Sequence, residues 1–494
     1  MTTVSPFPAG SVKGRLLQHL LRSKNDPSYF NDVILQRGPM WSAQKEWSEA
    51  VVAYRQVCIE SGNMTGKGWW IAGLILWYLW TRRESLVYVT GPGQTSLGAV
   101  LWKEVRRAVE GSRFWRAGLL PAVVSPGIKA SPATVVVRPG WQALGFSTTS
   151  VERASGHHAR SLLVVCEEAS GIEQEAWDAI ESLGYERLVA IGNPIRADGH
   201  FADLSDQGDH DALEHRPPQV SCKHFVVPST MSPHAHLARS PVGLADKVWL
   251  EAVGREPGEN SPWYRSHVLA QRPKLASETL IPQEWLNLAL SDATAAAVKT
   301  LRAGAPIGKL RLGCDVGEGV GRSQSVIVVR DDLGVLEIFA NQFESKAETA
   351  HAICGLAQKW QIGLEGIIFD GNGNTGRDIL RALERRYPYG LVPFFGSGPG
   401  GRWYTNLRTA CAAALARRLD PDPARGLTTR KPFAFPNGPH IPALFKELGE
   451  LRYKLKGQKS ELEPKEDMMI RLGRSPDFCD ALSMTFRDEA LHGL

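Results

Sequence analysis

Four apolar residues, Leu162–Val165, run without a polar break and lead through Cys166 into two adjacent carboxylates, Glu167 and Glu168. A short apolar run that is β-branched at its end and polar on both sides reads as a strand buried on both faces, as in a parallel sheet. Residues at the carboxyl ends of such strands line the crevice where open α/β sheets bind ligands. Two anions side by side repel and call for a shared cation. Taken alone, the stretch reads equally well as a strand ending in a solvated acidic loop.

The flanking sequence decides against that plainer reading. A helical pattern at Ser42–Tyr54 and a short strand at Gln56–Ile59 precede SGNMTGKG, which opens a Trp-rich helix. Between a strand and a helix, Gly62-Asn63-Met64-Thr65-Gly66-Lys67-Gly68 reads as a phosphate-binding loop. Glycines let successive N–H groups turn inward, the helix N-terminus adds its dipole, and Lys67 adds a full charge. Counted from Gly62, three residues precede Gly66-Lys67 where the usual pattern has four. Gly68 stands where a Ser or Thr would hold Mg²⁺. The plainer reading is a glycine turn with a solvated lysine. Beside this loop, Glu167 suits a Mg²⁺ ligand and Glu168 the group that activates an attacking water. Asn193, in the IGNP turn after strand Arg187–Ile191, is placed to touch a γ-phosphate; Asn-Pro is also a common turn. Gln44 is a candidate adenine reader or a surface glutamine.

Strands Leu86–Thr90, Leu162–Val165 and Arg187–Ile191 alternate with helices, which argues for a parallel α/β sheet. Residues 205–262 are rich in His, Pro, Gly and Ser and read as a loop-rich subdomain or linker. LRAGAPIGKL reads as a join. The expected division is therefore 1–270 as a P-loop ATPase domain (loop-rich from about 205), 271–308 as linker and 309–494 as a second domain. A length of 494 residues suits two domains.

The second domain begins with strand RLGCDVG, a meander SVIVVRDD–GVLEIFANQF, helix 346–360, strand Gly366–Asp370, helix Arg377–Arg386, strand Leu391–Phe395 and a helix near Asn406–Arg418. That order is the order of a ribonuclease H-like mixed sheet. Asp315 and Asp370 end strands, and Asp477 and Asp480 lie one helical turn apart in SPDFCDAL. Three or four carboxylates so gathered can hold two divalent cations about 4 Å apart for phosphodiester cleavage, and oxygen donors favour Mg²⁺ or Mn²⁺. Singly, Asp477 is a fair N-cap and Asp370 a turn residue. Residues 371–420 hold eight arginines (377, 381, 385, 386, 402, 408, 417, 418) against three acids, an excess equal to the whole chain's +5. Such an excess suits a DNA backbone.

Seven scattered cysteines without Cys-x-x-Cys argue against a disulfide framework and a thiolate zinc site, and fit a reducing compartment best. MTTVSPFPAGSVKG lacks the apolar core of a leader. Trp69–Trp80 falls short of the roughly 20 residues a membrane span takes and reads as a buried helix.

Taken together, SGNMTGKGW, TGPGQTSLGAVLWKEVR, LLVVCEEASGI, IGNP, LGCDVGEG, IIFDGNGNTG, YTNLR and RLGRSPDFCDAL, in this order and spacing, resemble the large terminase subunit of tailed bacteriophages over roughly residues 40–490. The resemblance implies an ATP-driven translocase joined to a ribonuclease H-like endonuclease, with ATP and Mg²⁺ (or Mn²⁺) as cofactors and double-stranded viral DNA as substrate. It implies several copies on a procapsid portal protein, a small terminase subunit as partner, and work in the host bacterial cytoplasm without a membrane. Glu167 replaces the family's more usual Asp. Arg322 and Ser323 stand near where the family often has an acid, leaving Glu318 the one acid close to Asp315 in sequence. No residue is identified as the family's trans-acting arginine finger, for which Arg55 and Arg153 are guesses. A helicase or repair ATPase fused to a nuclease, and a nuclease with a degenerate ATPase, are the alternative classes.

Overall fold

The computed structural model describes residues 11–92, 100–120, 122–125, 133–147, 161–273, 279–317, 324–387, 390–422, 427–428 and 431–492. Glu318, Arg322, Ser323, Arg153 and most of the GPGQTSLGAV turn lie outside them. The chain divides into two compact units, Met1–Arg255 with Tyr264–Leu275, and Glu256–Trp263 with Ala276–Leu494. Among the described residues no helix is long and apolar enough to cross a membrane.

The first unit is built on eight strands: β1 (Gln56–Ser61), β2 (Leu86–Gly91), β3 (Val123–Ser125), β4 (Ala133–Arg138), β5 (Trp141–Ser147), β6 (Leu162–Glu167), β7 (Arg187–Gly192) and β8 (Cys222–Val227). Their order is β3-β4-β5-β2-β6-β7-β1-β8. From β5 to β8 every pairing is parallel; β3, β4 and β5 pair antiparallel. The strands from β2 to β1 are apolar on both sides because helices cover both faces, which is why their sequences run without alternation. Helix α1 (Ser42–Ala53) precedes β1, and α2 (Lys67–Thr81) follows it. Helix α2 is buried nearly all round, with Trp70 and Trp77 each at most 1% exposed, so it is a core helix, as its composition predicts.

The expected loop-rich stretch from 205 to 270 differs from the structure. It contains most of α3 (His200–Leu213) and all of β8, an edge strand paired with β1 from Gln56↔Cys222 to Ser61↔Val227.

The second unit holds a five-stranded sheet of β9 (Arg311–Asp315), β10 (Ser325–Asp331), β11 (Gly334–Asn341), β12 (Ile367–Asp370) and β13 (Val392–Phe394), ordered β11-β10-β9-β12-β13. The first three pair antiparallel, and β12 lies parallel to both β9 and β13, the ribonuclease H-like arrangement that the strand order predicts. The expected linker 271–308 is corrected here. It carries α4 (Gln283–Ala289) and α5 (Asp292–Arg302), and Ile281, Leu286 and Ala289 are fully buried in the second unit's core. The Ala- and Gly-rich composition that suggested a join serves helix packing instead.

Candidate phosphate-loop and acidic-cavity sites

In the first unit β1, β7 and β6 are consecutive and parallel, so the residues that follow them emerge at one sheet edge. These are the loop after Ser61, Asn193 after β7, and Glu167–Glu168 at β6. The loop's carbonyls are drawn outward. Asn63 O accepts from Ser229 Oγ at 2.7 Å, Met64 O from Ala245 N–H at 2.8 Å, Thr65 O from the Trp41 indole at 3.2 Å, and Gly66 O from Gln44 Nε2 at 3.3 Å. In a trans peptide the next residue's N–H points opposite to the carbonyl. The amides of Met64, Thr65, Gly66 and Lys67 are therefore turned to the loop's other side, where they form a nest for an anion. Gly66 holds φ +83, which favours glycine, and Gln44 Nε2 would stand 2.6 Å from an added Cβ and have to move.

Lys67 Nζ donates to Gly62 O at 2.8 Å, across the loop. Burial lowers its pKa, against the pull of Glu168 and Glu167. Glu167 is pushed up to about 7 by burial and by Glu168, with Lys67 opposing. Glu168 sits in the left-handed region at φ +52. Strand ends crowd the acids. A Cβ on Gly192 would come 2.9 Å from Ala169 N.

Asn193 is 1% exposed; its Nδ2 donates to Ser61 O at 2.7 Å, and its buried Oδ1 accepts no hydrogen bond among the described residues. Counted from Ser61, four residues precede Gly66-Lys67. Ser61 is buried, and its Oγ meets Thr65 Oγ1 at 2.7 Å. Sequence reasoning missed this because it began the count at the glycine. Gly68 has nothing within 4 Å of where a Cβ would stand, so the missing hydroxyl has room. Gln44 is buried and braces the loop through Gly66 O and the Trp41 amide. Arg55 lies at the opposite end of β1 from the loop, 5.2 Å over the Tyr185 ring.

In the second unit the register Ile367↔Leu312, Ile368↔Gly313, Phe369↔Cys314 carries Asp370 beside Asp315 at one edge. Further helices of this unit are α6 (Lys346–Lys359), α7 (Gly373–Glu384), α8 (Leu407–Leu419), α9 (Ile441–Gly449), α10 (Lys465–Leu472) and α11 (Asp477–Met484). Helix α11 lies so close on β9 that a Cβ on Gly313 would stand 2.1 Å from Ala481 O. That approach brings Asp477 and Asp480 to the strand ends. Asp315, Asp370 and Asp477 line one cavity of about 670 Å³; Asp315, Asp370 and Asp480 line a second of about 180 Å³.

Lys465 lines both cavities, its Nζ 2.6 Å from Asp480 Oδ2 and 4.0 Å from Asp315 Oδ2. Burial raises Asp315 well above the carboxylate range, and Asp480, Asp477 and Asp370 add to the rise against Lys465. Burial likewise raises Asp370, against two hydrogen bonds from Asn372, and raises Asp477. Burial would raise Asp480 too, but Lys465 and Arg408 together hold it below its ordinary value.

Among the described residues no three Asp, Glu, His or Cys side chains close into a finished metal cage. The donors nonetheless fit a hard divalent cation. Asp315 and Asp477 are buried and Asp370 half-buried, all three line one cavity with oxygen donors, and a divalent cation would supply the counter-charge that burial denies them. Asp315, Asp370 and Asp477 are the residues that would hold it. Asp480 is committed to Lys465 and Arg408.

Lys465, Arg408, Glu447 and Arg474 were not legible in sequence. Lys465 is one lysine in the mixed-charge run EPKED. Glu447 is fully buried, and its Oε2 accepts from Cys479 N–H at 2.7 Å.

No family model and no curated protein matches the chain. Among solved structures it is similar to the large terminase of bacteriophage HK97, at 14% identity over 95% of this chain and 99% of that one, TM-score 0.38. It is also similar to the large terminase of a thermophilic bacteriophage in complex with ADP, at 12% identity over 95% of this chain and 100% of that one, TM-score 0.40. The nuclease domain of the large terminase subunit of bacterial virus Sf6 is similar at 22% identity over 42% of this chain and 98% of that one, TM-score 0.33.

Proposed function

We propose that this chain hydrolyses ATP to translocate double-stranded viral DNA into a procapsid and cuts the concatemer with a metal-dependent endonuclease, as a large terminase subunit does. The observation that carries the reading is the pairing, in one chain, of an outward-braced phosphate loop beside two carboxylates with a second sheet edge where aspartates ring a cavity.

In the first unit the Met64–Lys67 amides and Lys67 bind the β- and γ-phosphates. Glu168 orients and deprotonates the attacking water, Glu167 would hold Mg²⁺, and Asn193 offers its unused Oδ1 at the γ-phosphate side. In the second unit Asp315, Asp370 and Asp477 would hold Mg²⁺ or Mn²⁺, while Lys465 keeps Asp480 ionised. When bound, the cations activate water and stabilise the leaving oxygen. On this reading the partners are the portal protein, the small terminase subunit and further copies of this chain, and the place of work is the host bacterial cytoplasm.

The test is ATPase and plasmid cleavage by the purified chain with Mg²⁺ and with Mn²⁺. Two separable activities support the reading. Strand unwinding with single-strand-stimulated turnover identifies a helicase–nuclease instead, and nucleotide binding without turnover identifies a degenerate ATPase.

A further inference from the structure

The eight arginines of residues 371–420 divide into two sets. Arg402 stacks over Trp403 at 4.5 Å, Arg408 reaches Asp480 at 3.5 Å, Arg417 donates to Tyr404 Oη at 2.8 Å, and Arg418 is held by Asp332 O. The other four, Arg377, Arg381, Arg385 and Arg386, are exposed and lie on α7 or at its end. Only Arg381 of these has a carboxylate partner among the described residues, Asp378 at 3.8 Å. Arg377 donates to Asn374 Oδ1 and Arg386 to Gln358 Oε1.

Arg377, Arg381 and Arg385 are four residues apart and share one helix face. The opposite face packs Gly376, Ile379 and Leu383 into the core. Like charges at this spacing repel one another, a cost that a polyanion removes. The helix starts just after Asp370, whose Oδ1 accepts from Asn372 N–H and Nδ2–H. Asn372, the residue before the helix, lines the smaller cavity with Asp370, so the N-terminal end of α7 lies at that cavity. The three arginines span about 12 Å at 1.5 Å per residue, a length over which one DNA strand presents about three to four phosphates.

We infer that the outer face of α7 is a track for the backbone of duplex DNA running into the acidic cavity. The inference rests on the nuclease reading above and adds where the duplex lies. The contacts are to phosphate, so they set register and affinity without reading sequence.

The experiment uses the full chain carrying Asp315→Asn, so that DNA is bound and not cut, with and without Arg377→Gln, Arg381→Gln and Arg385→Gln together. Binding of a duplex oligonucleotide is measured against salt, with melting curves to show both proteins folded. The triple variant is expected to lower the slope of log K against log[salt] by about 3, roughly 1 per arginine, and the corresponding Lys triple to restore most of it. In the cutting-competent chain the Gln triple should raise KM for plasmid and leave kcat within about twofold. An unchanged salt slope overturns the track while the parent's cleavage still upholds the nuclease. Loss confined to single-stranded DNA overturns the duplex assignment. A parent chain that neither binds nor cuts duplex DNA overturns both readings.

Discussion

The Lys465 ammonium and the Asp480 carboxylate form a 2.6 Å ion pair at the wall between two acid-lined cavities. Lys465 is the cation that lets four aspartates stand together without metal, and its loss should be felt through metal. In Lys465→Ala, Asp480 keeps Arg408 alone. The expected cost without divalent cation is about 1–3 kcal/mol, below the 3–5 of a fully buried pair because a third of the lysine side chain is exposed. Mn²⁺ should recover more stability in the variant than in the parent. Thermal melts with EDTA and with Mn²⁺ check this, and equal metal responses in both proteins sink it.

Glu447 supplies the cap that α11 lacks. Pro476 offers the helix no side-chain acceptor, and Glu447 reaches across from α9 to the Cys479 amide while Arg474 holds its other oxygen. Glu447→Ala should cost about 1–2 kcal/mol for the cap and weaken apparent Mn²⁺ affinity in plasmid cleavage, because Asp477 opens the same helix. Burial pushes the Glu447 carboxyl up from 4.5 to about 7. The folded chain then binds that proton more tightly than the unfolded chain. The group's contribution is therefore most favourable below about 4.5 and declines as pH rises to about 7. Glu447→Gln removes this decline. The melting temperature of the Gln variant relative to the parent should rise between pH 5 and 7 and level off above. Parallel curves across that window refute the burial argument.

The reach of the sequence follows from where side chains get their neighbours. Strand β6, the phosphate loop and the β9–β10–β11 meander were legible because each is local: an apolar run, a glycine turn, a hairpin. Asp315 and Asp370 were legible because they end strands that a known topology sets side by side. Strand β8 was missed because CKHFVV at a sheet edge buries chiefly its two ends, so Lys223 and His224 interrupt the apolar pattern. Lys465 and Glu447 were missed because their roles come from partners distant in sequence and have no local signature.

The same misreading moves the boundary of any autonomous fragment. The join LRAGAPIGKL, read alone, puts that boundary at its first residue, Leu301. Ile281 and Leu286 are fully buried in the second core, and their removal costs about 2–5 kcal/mol each, comparable with the 5–15 kcal/mol that holds a domain together. A fragment from Ala276 to Leu494 should unfold cooperatively and cleave plasmid. One from Leu301 should be insoluble or melt far lower. Equal melting temperatures would show that α4 is dispensable.

Lys67 separates the two activities. Its ammonium spans the loop to Gly62 O and is flanked electrostatically by Glu168 and Glu167. Arriving phosphates would take over that hydrogen bond and supply the counter-charge that burial denies the lysine. Lys67→Ala removes the only full positive charge in the seven-residue loop, and loss of one such preorganised group typically costs about 10²–10³ in kcat. ATP turnover should fall by at least that factor while Mn²⁺-dependent plasmid cleavage stays within about twofold, since the acids of the second unit are untouched. Glu168→Gln should also abolish turnover but retain nucleotide, because the variant keeps the amide nest and Lys67. Glu167→Gln should instead shift the Mg²⁺ requirement upward. Equilibrium binding of a fluorescent ATP analogue, beside steady-state turnover, distinguishes these outcomes. Trapped nucleotide in the Glu167 variant with raised Mg²⁺ demand in the Glu168 variant would exchange the two roles, and parent-level turnover in Lys67→Ala would remove the loop from the mechanism.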